Sequence, residues 1–329
     1  SALDKIVIVN EVSGMPGILF TASSIGVQIV ELPFLFKQKT AYESHARLVG
    51  SEMCIRVRFL GFSAANAQDS FQHIRNATAK INYAGVNFLL DPYLAPKGKY
   101  PGFEGTLNSH LRNPLIELPM DAKEVYKGVD AIIVTHTHPD HWDEVAAEIL
   151  PKNIVIFAQH NDDAALIKKQ GFKDVRVLDE SAEFKGVKLY KAGGAHGTAE
   201  MYENKQLGAI LGDAMGVVFE AKGHKTLYVM GDTLWTADVN KALNKFNPSV
   251  VVMNTGDARV LAFPDNGIIM GKADVAHAAK VLNGATIIAV HMDAVNHTSV
   301  SRKDLREFVK KEGIESKITI PNDGEIIKF

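Results

Sequence analysis

From about Ile74 onward, apolar and polar positions follow patterns that name elements. Thr78-Ala79-Lys80-Ile81-Asn82-Tyr83 and Val86-Asn87-Phe88-Leu89-Leu90 are β-prone runs joined by Ala84-Gly85, which predicts a hairpin. Asp91-Pro92 closes the second run, because proline has no N–H to give a ladder. Residues 95–114, rich in Pro, Gly and Asn, predict a loop. Ala131-Ile132-Ile133-Val134 is short and wholly apolar, as a buried strand requires. A helix is expected over 142–150, a strand over 154–157, and a helix over 162–170 closed by Gly171. Strands follow at 175–178 and 187–191, and 217–220 with 226–230 predict a second hairpin. Helices at 239–246, 272–282 and 302–312 then alternate with strands at 249–253 and 286–290. The chain finishes in strands around Asn322-Asp323-Gly324. Hairpins followed by strand–helix alternation occur once in each half, a pattern that predicts an α/β fold of two sheets packed face to face with helices outside.

Residues 1–68 do not share this regularity. The stretch 18–36 is strongly apolar, but Gln28, Glu31 and Pro33 interrupt it and its flanks do not suit a membrane span. Lys37-Gln38-Lys39-Thr40-Ala41-Tyr42-Glu43 and Leu48-Val49-Gly50-Ser51-Glu52-Met53-Cys54-Ile55-Arg56 resemble peptides read from sequencing-adapter DNA. On that reading, residues up to about Val57 are no part of the evolved fold. Phe59-Leu60-Gly61-Phe62-Ser63-Ala64-Ala65-Asn66-Ala67 looks like the tail of a secretory signal, with cleavage before Gln68. The expectation is a domain over 69–329 whose natural form is exported to the periplasm, or is otherwise cytoplasmic.

Composition narrows the partners. Apolar residues make up 46% and charged residues 22% of the 329, which suffices for a sizeable core. The net charge is −2 with both signs scattered, leaving no electrostatic footprint for nucleic acid or an anionic membrane. A small-molecule substrate is the expected partner, and association into a homo-oligomer stays open. Cys54 is the one cysteine, which excludes an intramolecular disulfide and a multi-thiolate zinc site.

The twelve histidines carry more. The run ending at Val134 leads into Thr135-His136-Thr137-His138-Pro139-Asp140-His141-Trp142-Asp143. Residues two apart on an extended chain project to one side, so His136 and His138 share a face. Pro139 forces a turn, after which Asp140 and His141 are expected to open the next helix. An isolated histidine is usually packed or solvated, but that explanation gives no reason for His-x-His-x-Asp-His directly after a buried strand. On the same reasoning His45, His73, His110, His160, His224 and His277 are expected to be structural or solvated. His297 and Asn296 follow His291 closely and could touch substrate, but are expected at the surface.

His136-x-His138-x-Asp140-His141 resembles the signature of the metallo-β-lactamase superfamily. Gly193-Gly194-Ala195-His196-Gly197, Met230-Gly231-Asp232-Thr233 and Ala289-Val290-His291 resemble its later ligand segments, in order. The resemblance implies a four-layer αββα sandwich holding two divalent ions, zinc or manganese, with iron also compatible. It implies His136, His138 and His196 on one ion, Asp140, His141 and His291 on the other, and Asp232 between them. Asp140 and Asp232 are also its candidate catalytic carboxylates. Ions roughly 3.5–4 Å apart share a hydroxide and lower its pKa. Asp91 matches a position that supports a ligand imidazole, or else simply turns the chain before Pro92. Gly193-Gly194 lacks the frame of a phosphate loop, and close backbone approach near His196 explains it better.

The segments 78–92, Gly231-Asp232-Thr233-Leu234-Trp235 and Ser301-Arg302-Lys303-Asp304-Leu305 look most like the branch containing ascorbate-6-phosphate lactonase. That implies hydrolysis of an ester or lactone, with a phosphodiester as the alternative. A β-lactamase fits less well, given the absent ligand cysteine. A di-iron redox protein would carry Glu at position 138, and a non-catalytic module would have lost ligands. Substrate selectivity is expected in the loops 93–119 and 256–271, where Phe103, Phe263 and Pro264 could line an entrance.

Overall fold

The computed structural model describes residues 68–329, and before them the backbone of two antiparallel strands, β1 (Val27–Pro33) and β2 (Arg56–Phe62). The chain divides into two units, Ser1–Ala67 and Gln68–Phe329. Apart from β1 and β2, the adapter-like strings and the signal-like tail lie outside the described residues, as does His45. Among the described residues no helix is long and apolar enough to cross a membrane.

The second unit contains two seven-stranded sheets. In the first, β3 (Ser70–Arg75), β4 (Thr78–Tyr83) and β5 (Val86–Leu90) form an antiparallel meander. The sheet continues in parallel through β6 (Ala131–Val134), β7 (Val155–Ala158) and β8 (Asp174–Val177). The second sheet repeats that plan: β9 (Ser181–Phe184), β10 (Val187–Gly194), β11 (Ala214–Glu220) and β12 (Leu227–Val229) are antiparallel. Then β13 (Val250–Asn254), β14 (Thr286–Val290) and β15 (Ile318–Thr319) run parallel to β12. The last strand, β16 (Ile326–Lys328), returns to the first sheet beside β3.

Period-two alternation divides single strands between cores. Phe88, Ile133, Val252 and Ile288 enter the core between the sheets, together with Phe71, Phe157 and Phe219. Their sequence neighbours face the other way. Leu89 and Ile132 pack under α1 (Ala122–Tyr126), α2 (Glu144–Ile149) and α3 (Asn161–Lys169). Val251 and Ile287 pack under α6 (Ala237–Phe246), α7 (Lys272–Val281) and α8 (Arg302–Lys311). The result is the four-layer αββα sandwich. Each fully buried Phe, Ile or Leu in these layers contributes about 1.5–3 kcal/mol before entropy is counted. Tyr83 adds a polar tie across the sheets, its hydroxyl lying 3.1 Å from the Phe219 carbonyl and 2.9 Å from that of Lys225.

One local expectation changes. Asp140 and His141 do not open a helix: the amides of His141 and Trp142 both donate to the His138 carbonyl, at 2.9 Å, in a tight turn. The helix starts later because Asp143, in extended conformation, caps it by accepting from the Ala146 amide at 2.7 Å. Between β10 and β11 the chain forms α4 (Ala199–Glu203) and α5 (Lys205–Leu211), each capped by its own side chain, Thr198 and Asn204.

Candidate metal centre

The parallel strands of both sheets end at one edge of the sandwich, where loops carry most of the chemistry. From the first sheet, Asp91 follows β5, and His136, His138, Asp140 and His141 follow β6. From the second, His196 follows β10, Asp232 follows β12, and His291 follows β14. Glycines make the approach possible. A Cβ on Gly194 would lie 2.5 Å from the Thr233 hydroxyl, and one on Gly231, at φ +71°, would lie 2.4 Å from the Met215 carbonyl. The Thr233 hydroxyl accepts from the Ala195 amide at 2.8 Å, joining the His196 and Asp232 segments.

All seven predicted side chains converge. Potential ligand atoms of His136, His138 and His196 lie within 4.8 Å of one another, and so do those of Asp140, His141 and His291. His136, His141 and Asp232 form a third such group. Asp232 Oδ2 lies 3.2 Å from His141 Nε2, 3.5 Å from His291 Nε2 and 3.6 Å from His196 Nε2. One carboxylate oxygen thus borders imidazoles of both predicted sets. Apart from His138, these side chains are buried.

The far side of three of the imidazoles is held, whereas the Nδ1 of His291 is buried without a partner. His141 Nδ1 donates to Asp91 Oδ2 at 2.8 Å, which turns Nε2 inward. The same carboxylate takes the Thr135 amide and hydroxyl, both at 2.7 Å. Asp91 therefore supports His141, at a backbone φ of 42°. His196 Nδ1 donates to the Ile268 carbonyl at 2.9 Å, and His138 Nε2 to that of Ile210 at 2.8 Å.

Electrostatics follow from burial and neighbours. Burial pushes the His196 pKa down to about 4, and burial with adjacent imidazoles holds His136 well below its usual value. His141 goes the other way: burial alone would lower it, but Asp232, Asp91 and Asp140 raise it well above. Burial disfavours ionised Asp140 and Asp232, yet the surrounding imidazoles hold both carboxyls well below the usual range. Buried carboxylates beside imidazoles form a donor set suited to a divalent transition-metal ion.

Several participants have no signal in the sequence pattern. Asn76, between β3 and β4 at φ 57°, donates to the Asp140 carbonyl at 3.1 Å and lies 3.2 Å from His291 Nε2. Asn254 donates to Asp232 Oδ1. His297 and Asn296 overturn their surface placement, being 6% and 1% exposed. They are buried because the loop 103–113 folds over them. Asn296 Oδ1 accepts from the Phe103 amide at 2.9 Å and from Asn113 Nδ2 at 2.7 Å, while its Nδ2 donates to the Leu107 carbonyl at 2.6 Å. The Phe103 ring meets His297 edge-on at 4.9 Å. Phe263 instead packs beside Val260 and Met201, and Pro264 is exposed.

Among the described residues, the other histidines are structural or solvated. His73 bonds the Asn76 carbonyl at 3.0 Å, His224 bonds Asp69 at 2.8 Å, and His160 caps α3. His277 lies edge-on to Trp235 at 4.6 Å, and His110 is exposed.

The model of the β-lactamase superfamily domain matches residues 86–292. The UPF0173 protein YddR of Bacillus subtilis is 43% identical over 256 residues, spanning 78% of this chain and 98% of that protein. A UPF0173 metal-dependent hydrolase of Anoxybacillus flavithermus is 28% identical over 77% of this chain and 97% of its own. Among solved structures, a possible metal-dependent hydrolase from Veillonella parvula is 51% identical with a TM-score of 0.79, covering 80% of this chain and 100% of that one. An isothiocyanate hydrolase from Delia radicum gut bacteria is 47% identical with a TM-score of 0.76, covering 79% and 99%. The chain belongs to the β-lactamase superfamily, within the UPF0173 group, and is a metal-dependent hydrolase.

Proposed function

We propose that the chain hydrolyses a small electrophile at carbon, with an isothiocyanate as the first substrate class. His136, His138 and His196 would hold one divalent ion and Asp140, His141 and His291 a second, with Asp232 shared. The observation that carries this reading is the pair of three-residue donor groups facing one another across the Asp232 carboxylate. Two such ions would lower the pKa of water towards neutrality and so supply a nucleophile. The chain's own residues do the rest. Asp91 fixes His141, the Ile268 carbonyl fixes His196, and Asn254 fixes Asp232, so little reorganisation is needed when substrate arrives.

The isothiocyanate class is favoured by the resemblance to the isothiocyanate hydrolase, which extends over nearly all of that protein. The balanced reaction is R–N=C=S + H2O → R–NH2 + O=C=S. An ester or lactone carbonyl is open to the same attack, and the likeness of the segment 231–235 to the lactonase branch favours it as the second substrate class. Zinc and manganese both suit the mixed imidazole–carboxylate donors.

The test is elemental analysis of protein purified without added metal, beside a His136→Ala His138→Ala variant, followed by amine release from benzyl isothiocyanate. About two metal equivalents, lost in the variant along with amine release, are expected. Fewer than one equivalent, with no uptake on adding zinc or manganese, overturns the reading.

A further inference from the structure

We propose that His297 is a substrate-contacting residue, whose imidazole hydrogen-bonds the heteroatom that gains charge when the substrate carbon is attacked. This rests on the hydrolytic reading above. Four observations support it. The ring is buried beside the centre, within electrostatic reach of Asp140, His291 and Asp232, yet it belongs to none of the three donor groups. Its Nδ1 is buried with no hydrogen-bond partner among the described residues. A buried polar atom left unpaired costs about 1–3 kcal/mol, which is tolerable where a ligand supplies the missing bond.

The surroundings hold the ring rather than satisfy it. Phe103 packs against it edge-on, and the His297 carbonyl accepts from the Arg259 amide at 3.0 Å. Asn296, one residue earlier, fastens the loop 103–113 through Phe103, Leu107 and Asn113. Three segments therefore meet at His297: the loop 103–113, the chain around Arg259, and the stretch following His291. This is the placement expected of a group that touches substrate, since each segment limits the ring's freedom while its nitrogens stay available.

For an isothiocyanate, hydroxide adds to the central carbon and the N=C π pair moves onto nitrogen. Nitrogen takes the proton lost when water became hydroxide, giving a thiocarbamic acid, and the O–H proton of that acid passes to the same nitrogen as the C–N bond cleaves to amine and carbonyl sulfide. A ring N–H facing that nitrogen strengthens its hydrogen bond as the charge grows, the condition for lowering a barrier rather than merely binding substrate.

The experiment compares wild type, His297→Phe and His297→Gln, each loaded with the metal found in the wild type. Phenylalanine keeps the packing against Phe103 and removes both nitrogens, while glutamine keeps a donor. Metal content and melting temperature are measured first, then kcat/KM for isothiocyanates that release amines of different basicity, then thiocyanate binding by calorimetry. The expected result is unchanged metal content and about 100-fold lower kcat/KM for His297→Phe. The loss should be steepest for the most basic amine. Glutamine should restore activity to within about 10-fold of wild type, and the thiocyanate Kd should weaken about 10-fold in the phenylalanine variant only. A phenylalanine variant with kcat/KM and thiocyanate Kd within about 3-fold of wild type overturns the proposal. If wild type releases no amine but the Kd still weakens in His297→Phe, the isothiocyanate reading fails and the contact by His297 stands.

Discussion

The support of His141 is specific enough to predict what its loss does. Asp91 accepts from His141 and from both donors of Thr135. Asp91→Asn keeps the size, and asparagine tolerates the left-handed backbone at this position, so the fold should survive. The amide orients His141 less well, and metal affinity should fall by about 10–100-fold in a competition titration against a chelating dye. His297 gives a pH signature. Burial lowers its pKa from 6.5 to about 4, so in the folded state it stays neutral where an unfolded histidine takes a proton. Its contribution to stability is whole above pH 6.5 and declines as pH falls towards 4, by about 3 kcal/mol in all. Urea melts of the metal-free protein should therefore show a smaller loss between pH 6.5 and 4 for His297→Phe than for wild type, and equal slopes would refute this. The seven clustered residues were legible because they carry rare chemistry at fixed spacing after apolar strands. Asn76 and Asn254 were not, since a lone asparagine between strands reads as an ordinary turn or strand-end residue.

At the scale of elements most strands were readable for a simple reason, although β3 and β9 were not foreseen. β6, β13 and β14 are buried on both faces and so appear as unbroken apolar runs. α1, α4 and α5 escaped because five to seven residues are too few to establish a helical period. The caps Thr198 and Asn204 were the available signals. The loop 103–113 is the element whose role emerged only in three dimensions, because its fastening residue, Asn296, lies 183 positions from Asn113. Asn296→Ala removes the buried amide and should cost about 2–3 kcal/mol, given several lost hydrogen bonds. Hydrogen exchange should quicken at the amides of Phe103 and Asn113 while the β6 amides stay protected. Uniform acceleration across the sheet would show instead that the loop is part of the global unit.

For the whole molecule, the division of ligands matters most. His136, His138, Asp140 and His141 hang from one sheet, and His196, Asp232 and His291 from the other. An ion bound by both sets stabilises the packed sandwich over any state in which the sheets separate. At about 1,000-fold excess over Kd the effect is about 4 kcal/mol. Chelation should then lower the melting temperature by about 8–16 °C, at about 2–4 °C per kcal/mol for a unit of this size. Scanning calorimetry with and without chelator checks this, and coincident transitions would show that the cation does not bridge the sheets. The same arrangement ties cellular abundance to nutrition. When the cation is scarce, the open state is more populated, proteases find it more often, and the protein is cleared sooner. Its steady-state level should follow metal supply with no change in synthesis.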